Sequence, residues 1–169
     1  MKSLSIAVIG CGRIGQMHAK NLQLHEKTNL ACIYDPNDEF AKKISRDLGV
    51  QAVENVDEIF NNQNIDAVLI SSPTDTHIDF IEKSVAVKKP VLCEKPIDLD
   101  INKVNECSER LKGNTTPIQL GFNRRFDPGH QAAKKSLING EIIFIIKFFF
   151  FLVLKNCTRY YRIVLRAIP

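Results

Sequence analysis

The chain has 169 residues, 44% of them hydrophobic and 25% charged, and carries a formal net charge of +4. That length supports one full-sized domain with its own core, and the composition is that of an ordinary soluble globular protein. The basicity belongs to the end of the chain. Ile142 to Pro169 holds five basic residues and no acidic ones, leaving 18 basic against 19 acidic residues in 1–141. A near-neutral body argues against a nucleic-acid partner, which needs a basic patch on the folded domain.

The five cysteines (Cys11, Cys32, Cys93, Cys107, Cys157) are scattered, with no C-x-x-C pair and no histidine at metal-ligand spacing. They read as reduced, buried thiols of a cytoplasmic protein with no metal site. The N-terminus has one lysine and a short apolar run that leads directly into glycines, so no signal peptide is expected.

Short β-branched runs alternate with longer helical periods, the pattern of a doubly wound parallel α/β sheet. Ser5–Ile9 reads as a buried strand ending at Gly10, and Ile14–Leu24 as a helix with Ile14, Met17 and Leu22 on one face. Leu30–Tyr34 is a second strand, followed by a helix over about 39–48 that Gly49 closes. A weak strand near Ala52-Val53 and a short helix near 56–61 come next. Ala67–Ile70 is the clearest inner strand, with a helix from about Asp75 to Val87 behind it. Val91–Cys93 and Ile118–Phe122 are further strands, separated by a helix over about 102–112. A last helix is expected over His130–Ile138.

Gly10-Cys11-Gly12-Arg13-Ile14-Gly15 follows a predicted strand, opens a predicted helix, and precedes Asp35 by twenty residues. In that setting the glycine spacing is a dinucleotide fingerprint. Gly10 permits the tight turn, Gly12 leaves room for a pyrophosphate, and Gly15 lets helix and strand pack closely. Asp35 can accept from both ribose hydroxyls and would repel a 2′-phosphate. No arginine follows it, which favours NAD over NADP. The alternative for Asp35 is a plain turn residue before Pro36.

Three more groups fall at carboxyl ends of predicted strands, where open α/β sheets bind ligands: Ser71–Thr74, Glu94-Lys95-Pro96 and Asn123–Arg125. Lys95 could hydrogen-bond a substrate hydroxyl and relay its proton, or could be a solvated loop residue. Arg124 and Arg125 could fork onto polyol or carboxylate oxygens, or form a solvated basic turn. His77, near a helix start, reads as a surface or capping residue rather than a catalyst.

The glycine loop together with Cys93-Glu94-Lys95-Pro96-Ile97 and Gly121-Phe122-Asn123-Arg124-Arg125-Phe126-Asp127-Pro128 resembles the Gfo/Idh/MocA oxidoreductases, most of all their inositol dehydrogenase branch. The resemblance covers residues 1 to about 141. It implies an NAD-dependent oxidation of a ring hydroxyl of a polyol or sugar, with Lys95 between nicotinamide and substrate. It places Gly10, Gly12, Arg13, Ile14, Gly15, Asp35, Ser72, Pro73, Thr74, His77 and Glu94 around the cofactor. Asn123, Arg124 and Arg125 would stand with Lys95 on the substrate side.

The resemblance also implies a second α/β domain, which shapes the substrate pocket, builds a homo-oligomer, and supplies an Asp and a His beside the lysine. Here no Asp follows Asp127 and no His follows His130. The domains expected are an NAD-binding domain over 1–125, the start of the second domain over 126–141, and an aberrant tail over 142–169. That tail opens with thirteen residues, Ile142–Leu154, all apolar except Lys147. Thirteen is short for a membrane span, which needs roughly 20 apolar residues, so no membrane partner is expected.

The four consecutive phenylalanines, Phe148–Phe151, point to a reading-frame slip. Sequencing the DNA past their codons would show the second domain in another frame, and an uninterrupted frame with nothing hidden would contradict the slip. The chain as written is therefore expected to bind NAD with little or no turnover, or to serve as a non-catalytic NAD-binding or regulatory module.

Overall fold

Six strands hydrogen-bond in the order β3-β2-β1-β4-β5-β6, every neighbouring pair parallel, in a computed structural model that describes residues 3–140. They are β1 (Leu4–Ile9), β2 (Thr28–Tyr34), β3 (Gln51–Ala52), β4 (Ala67–Ile70), β5 (Val91–Cys93) and β6 (Ile118–Leu120). Helices α1 (Arg13–Leu24), α2 (Asp38–Leu48), α3 (Val56–Asn61), α4 (His77–Ala86) and α5 (Ile101–Arg110) connect them. This is the Rossmann arrangement, and the order reverses between β1 and β4. Right-handed crossovers then send the helices on either side of that point to opposite faces of the sheet. A division of the chain falls between Leu120 and Gly121, and α6 (Pro128–Ile138) belongs to the second unit.

The central strands are buried on both faces, which is why they read as continuous apolar runs rather than alternating ones. Ala7, Val8 and Ile9 of β1 are buried, as are Val68, Leu69 and Ile70 of β4. One core packs Val8, Leu30, Ile33 and Leu69 of the sheet against Ala19, Ala41 and Ile44 of α1 and α2. Each fully buried isoleucine contributes about 1.5–3 kcal/mol by leaving water.

Helix α1 faces the sheet differently from the expected stripe. Its buried residues are Gly15 and Ala19, while Met17 is exposed. Two small residues four apart let the helix lie close to β1, and that close seat turns Met17 outward. The expected helix from Asp75 is also broken. A 3-10 turn over Thr74–Thr76 comes first, because both the N–H and the hydroxyl of Thr76 bond the Pro73 carbonyl. Smaller shifts have capping causes. Asp100 caps α5 and so starts it at Ile101, and Asp127 caps α6 with Pro128 in its first turn. Gly49 closes α2 in the left-handed conformation, as its position implies.

Lys89 is a buried cation at the far end of β4. Its Nζ donates to the carbonyls of Asn62, the C-cap of α3, and Ile65 in the loop that leads into β4, both at 2.8 Å. Burial pulls its pKa down, against the opposing pull of Asp66. No helix among the described residues is long and apolar enough to cross a membrane. The Ile142–Leu154 run lies outside the described residues.

Cys11, Cys32, Cys93 and Cys107 are buried and free. Burial pushes the thiols of Cys32 and Cys107 up to about 11, helped by Glu58 and Glu82 respectively. Cys11, also beside Asp35, rises to about 12, and Cys93 is raised as well. These four should alkylate about a hundred-fold or more slowly in the native protein at pH 8 than in denaturant, read by peptide mass spectrometry. In the unfolded chain they ionise near 9.0, their ordinary value. The stability they provide is therefore full below 9 and lost as pH rises toward 11–12. Labelling of any of the four in the native protein at the rate seen in denaturant would contradict this burial.

Candidate functional site

Strand register decides which residues meet. Ile9 pairs with Tyr34 on one side and Ile70 on the other, Ile70 pairs with Cys93, and Cys93 with Leu120. The strands therefore end level, and the next residues continue the hydrogen bonding. Gly10 N–H donates to Tyr34, Ser71 N–H to Ile9 and Glu94 N–H to Ile70, each at 2.8 Å. Gly10, Asp35, Ser71 and Glu94 thus form one row along the carboxyl edge, centred on the reversal of strand order.

The glycine loop fits its neighbours only without side chains. Gly10 has φ +96°, and a Cβ there would run into the backbone of Ser71 and Ser72. A Cβ on Gly15 would land on the Gly10 carbonyl and reach 2.8 Å from Ser71 Oγ. Ser71 Oγ donates to the Gly10 carbonyl at 2.9 Å, and Gln16 Nε2 to the Cys11 carbonyl at 3.2 Å. Gly12 is different, because a Cβ on it would meet nothing within 4 Å. The space beside it is open.

That space lies at the start of α1, whose N-cap is Gly12 and which has no side-chain cap. Helices α2, α3, α5 and α6 all take side-chain caps, from Asn37, Asn55, Asp100 and Asp127. Among the described residues the first-turn N–H groups of Arg13, Ile14 and Gly15 have no acceptor. Three unfilled donors at the positive end of a helix, beside an open cradle, suit the pyrophosphate of a dinucleotide.

Asp35 is both anchored and available. One carboxylate oxygen accepts from Cys11 N–H at 2.6 Å and the other from Asn37 N–H at 2.8 Å. The plain-turn reading is thus half right, because the Asn37 bond is a turn bond. The Cys11 bond reaches from β2 to the glycine loop, and each oxygen keeps a lone pair for a ribose hydroxyl.

Ser72, Pro73 and Thr74 form the turn after β4. Ser72 Oγ lies 2.6 Å from Thr76 Oγ1, whose own hydroxyl donates to the Pro73 carbonyl, so Ser72 is the donor between them. Glu94 accepts from His18 Nε2 at 2.9 Å, each side chain about 20% exposed. Lys95 is exposed, its N–H reaches Glu94 Oε2 at 3.3 Å, and its ammonium has no ion pair among the described residues.

His77 departs from its expected place. It is only 2% exposed and so not a surface residue; its backbone N–H caps the 3-10 turn at the Thr74 carbonyl, while Nδ1 lies 2.7 Å from the Pro96 carbonyl and Nε2 2.9 Å from the Ser72 carbonyl. Carbonyl oxygens face both ring nitrogens, and a neutral imidazole donates its N–H to only one of them at a time.

Asn123, Arg124 and Arg125 lie exposed in a 3-10 turn over Asn123–Phe126. Arg124 reaches Asp127 at 3.3 Å, and the Arg125 carbonyl accepts from Gln131. Asp127 is held down to about 2, first by the backbone N–H of His130 and then by its ring.

Sequence reasoning missed Ser71 as a tie to the glycine loop, and with it Gln16 and His18. No metal-holding cluster occurs among the described residues.

The sequence profile of the Gfo/Idh/MocA oxidoreductases, described as an oxidoreductase family with an NAD-binding Rossmann fold, matches residues 4–122. An inositol 2-dehydrogenase of Rhizobium meliloti is 37% identical over 140 residues, covering 83% of this chain and 42% of that protein. A scyllo-inositol 2-dehydrogenase (NAD(+)) of Bacillus subtilis is 39% identical over 138 residues, covering 80% and 40%. Among solved structures, scyllo-inositol dehydrogenase from Lactobacillus casei with bound NAD(H) and scyllo-inositol superposes with a TM-score of 0.76 at 33% identity. It is covered to 42%, against 83% of this chain. The chain spans about two-fifths of the length of these relatives.

The glycines make separable predictions. Gly15→Ala should cost about 1–3 kcal/mol of stability through overpacking. Gly12→Ala should leave the thermal midpoint nearly unchanged yet weaken NAD binding at least about ten-fold, measured by calorimetry. Unchanged binding in Gly12→Ala would show that the open space is not the pyrophosphate cradle.

Proposed function

Because the chain belongs to the Gfo/Idh/MocA oxidoreductase family, we propose that it is the NAD-binding part of a dehydrogenase that oxidises a ring hydroxyl of a polyol, inositol being the substrate class. The observation that carries this reading is the pairing of an open, donor-lined glycine loop with Lys95 on the same sheet edge. The loop N–H groups of Arg13, Ile14 and Gly15 hold the pyrophosphate, and Asp35 takes the ribose diol. The Asp35 charge stands against a 2′-phosphate, which makes the cofactor NAD rather than NADP. Ser72–Thr74 and Glu94 line the cleft beyond.

When bound, the nicotinamide supplies the hydride acceptor. Lys95, free of an ion pair among the described residues, hydrogen-bonds the substrate hydroxyl and helps carry off its proton. Asn123, Arg124 and Arg125 serve the substrate side. The domains are an NAD-binding domain over 1–125, the first residues of a substrate domain over 126–141, and a tail over 142–169.

A lysine alone does not complete the proton relay. With no Asp beyond Asp127 and no His beyond His130, this chain binds NAD and turns over little or nothing. Lost positioning can remove several orders of magnitude in rate. The same absence favours, as a second reading, a non-catalytic NAD-binding module.

Calorimetry should find NAD bound at least about ten-fold more tightly than NADP, roughly 1.4 kcal/mol. Incubation with NAD and myo-inositol should produce little or no NADH. Failure to bind NAD would overturn the cofactor assignment, and brisk NADH formation would overturn the claim of low turnover.

A further inference from the structure

The turn that carries Lys95 is tied down on both of its sides, each time by a histidine. On the side before it, His18 of α1 holds the Glu94 carboxylate at 2.9 Å, and the other oxygen of that carboxylate accepts from the Lys95 backbone N–H. On the side after it, His77 of α4 lies 2.7 Å from the Pro96 carbonyl. The second nitrogen of His77 lies 2.9 Å from the Ser72 carbonyl, so one ring joins the turns that leave β4 and β5.

A histidine with hydrogen-bonded ring nitrogens is commonly no more than a satisfied structural group. These two are distinguished by where their partners lie. Both partners of His77 belong to carboxyl-edge turns, and the His18 partner is the residue next to Lys95. The helices that present them, α1 and α4, follow β1 and β4, the strands on either side of the reversal in order. The side chain between the two ties is exposed and has no ion pair among the described residues. Fixing the backbone of the lysine sets where its side chain starts and leaves only the side-chain rotamers to be ordered in a productive pose.

We propose that His18 and His77 are positioning residues that clamp the Glu94–Pro96 turn and thereby aim Lys95. The proposal rests on the reading of Lys95 as the proton-handling residue. In this role neither histidine has to touch cofactor or substrate. His18 acts through Glu94, and His77 acts through the Pro96 and Ser72 carbonyls.

The test compares the intact chain with His77→Ala, His77→Gln and His18→Ala. Amide exchange at Lys95 and Ile97 should quicken about ten-fold in either alanine variant, the effect of one lost hydrogen bond, while β1 and β4 amides keep their rates. The lysines are also 13C-methylated, and the Lys95 signal is identified by its loss in Lys95→Arg. NAD should shift that signal in the intact chain and shift it by half or less in the alanine variants, with NAD still bound by calorimetry. His77→Gln, which keeps an N–H donor, should recover part of the shift.

Unchanged exchange at Lys95 and Ile97 would overturn the proposal. So would exchange that rises equally throughout the sheet, the result of a merely structural role. If His77→Ala does not fold, His77→Gln and His18→Ala decide the matter. If the intact chain fails to bind NAD, the functional reading falls, while the exchange comparison still decides whether the clamp exists.

Discussion

There is no room for a side chain between the first glycine of the loop and the end of the neighbouring strand. Gly10 lies against the Ser71–Ser72 backbone, and Gly15 against the Gly10 carbonyl. Much of the site follows from that contact. It seats α1 low on β1, so the helix buries Gly15 and Ala19 rather than larger residues. It brings the uncapped start of the helix to the level of the strand ends. Level strand ends then place Asp35, Ser71 and Glu94 in the same row.

Electrostatics follow from the same geometry. Four of the helices answer their free N–H groups with their own side chains, and α1 does not. An unanswered helix start is tolerable at the surface, where water can serve, and it favours an anion there. Asp35 sits one strand away with its carboxylate held by the loop backbone. In the proposed reading its fixed negative charge meets the ribose and opposes a phosphate there. The donors for one part of a dinucleotide and the acceptor for another are set by backbone positions, which few substitutions can move.

The parts legible in the sequence were those written in local pattern. The strand runs, the glycine spacing, the Asp35 interval and the Gly49 cap each depend on residues close in the chain, and the structure has them. The missed parts depend on distant partners. Ser71 bonds a residue 61 positions away, and His18 one 76 positions away. Nothing near His18 in the sequence marks it as a partner of Glu94. His77 misled for a related reason. Its position near a helix start suggested exposure, but the 3-10 turn before α4 carries it inward, where two carbonyls receive it. Met17 misled because the apolar spacing of α1 says which residues are greasy, not how closely the helix docks.

The account depends on a dinucleotide lying across the row formed by the glycine loop and Asp35. Amide chemical shifts of the 15N-labelled chain during NAD titration test that directly. The largest changes should fall on Gly12–Gly15 and on Asp35–Asn37, with smaller ones over Ser72–Thr74 and Glu94–Lys95. Saturating changes centred elsewhere, or none at all, would contradict it.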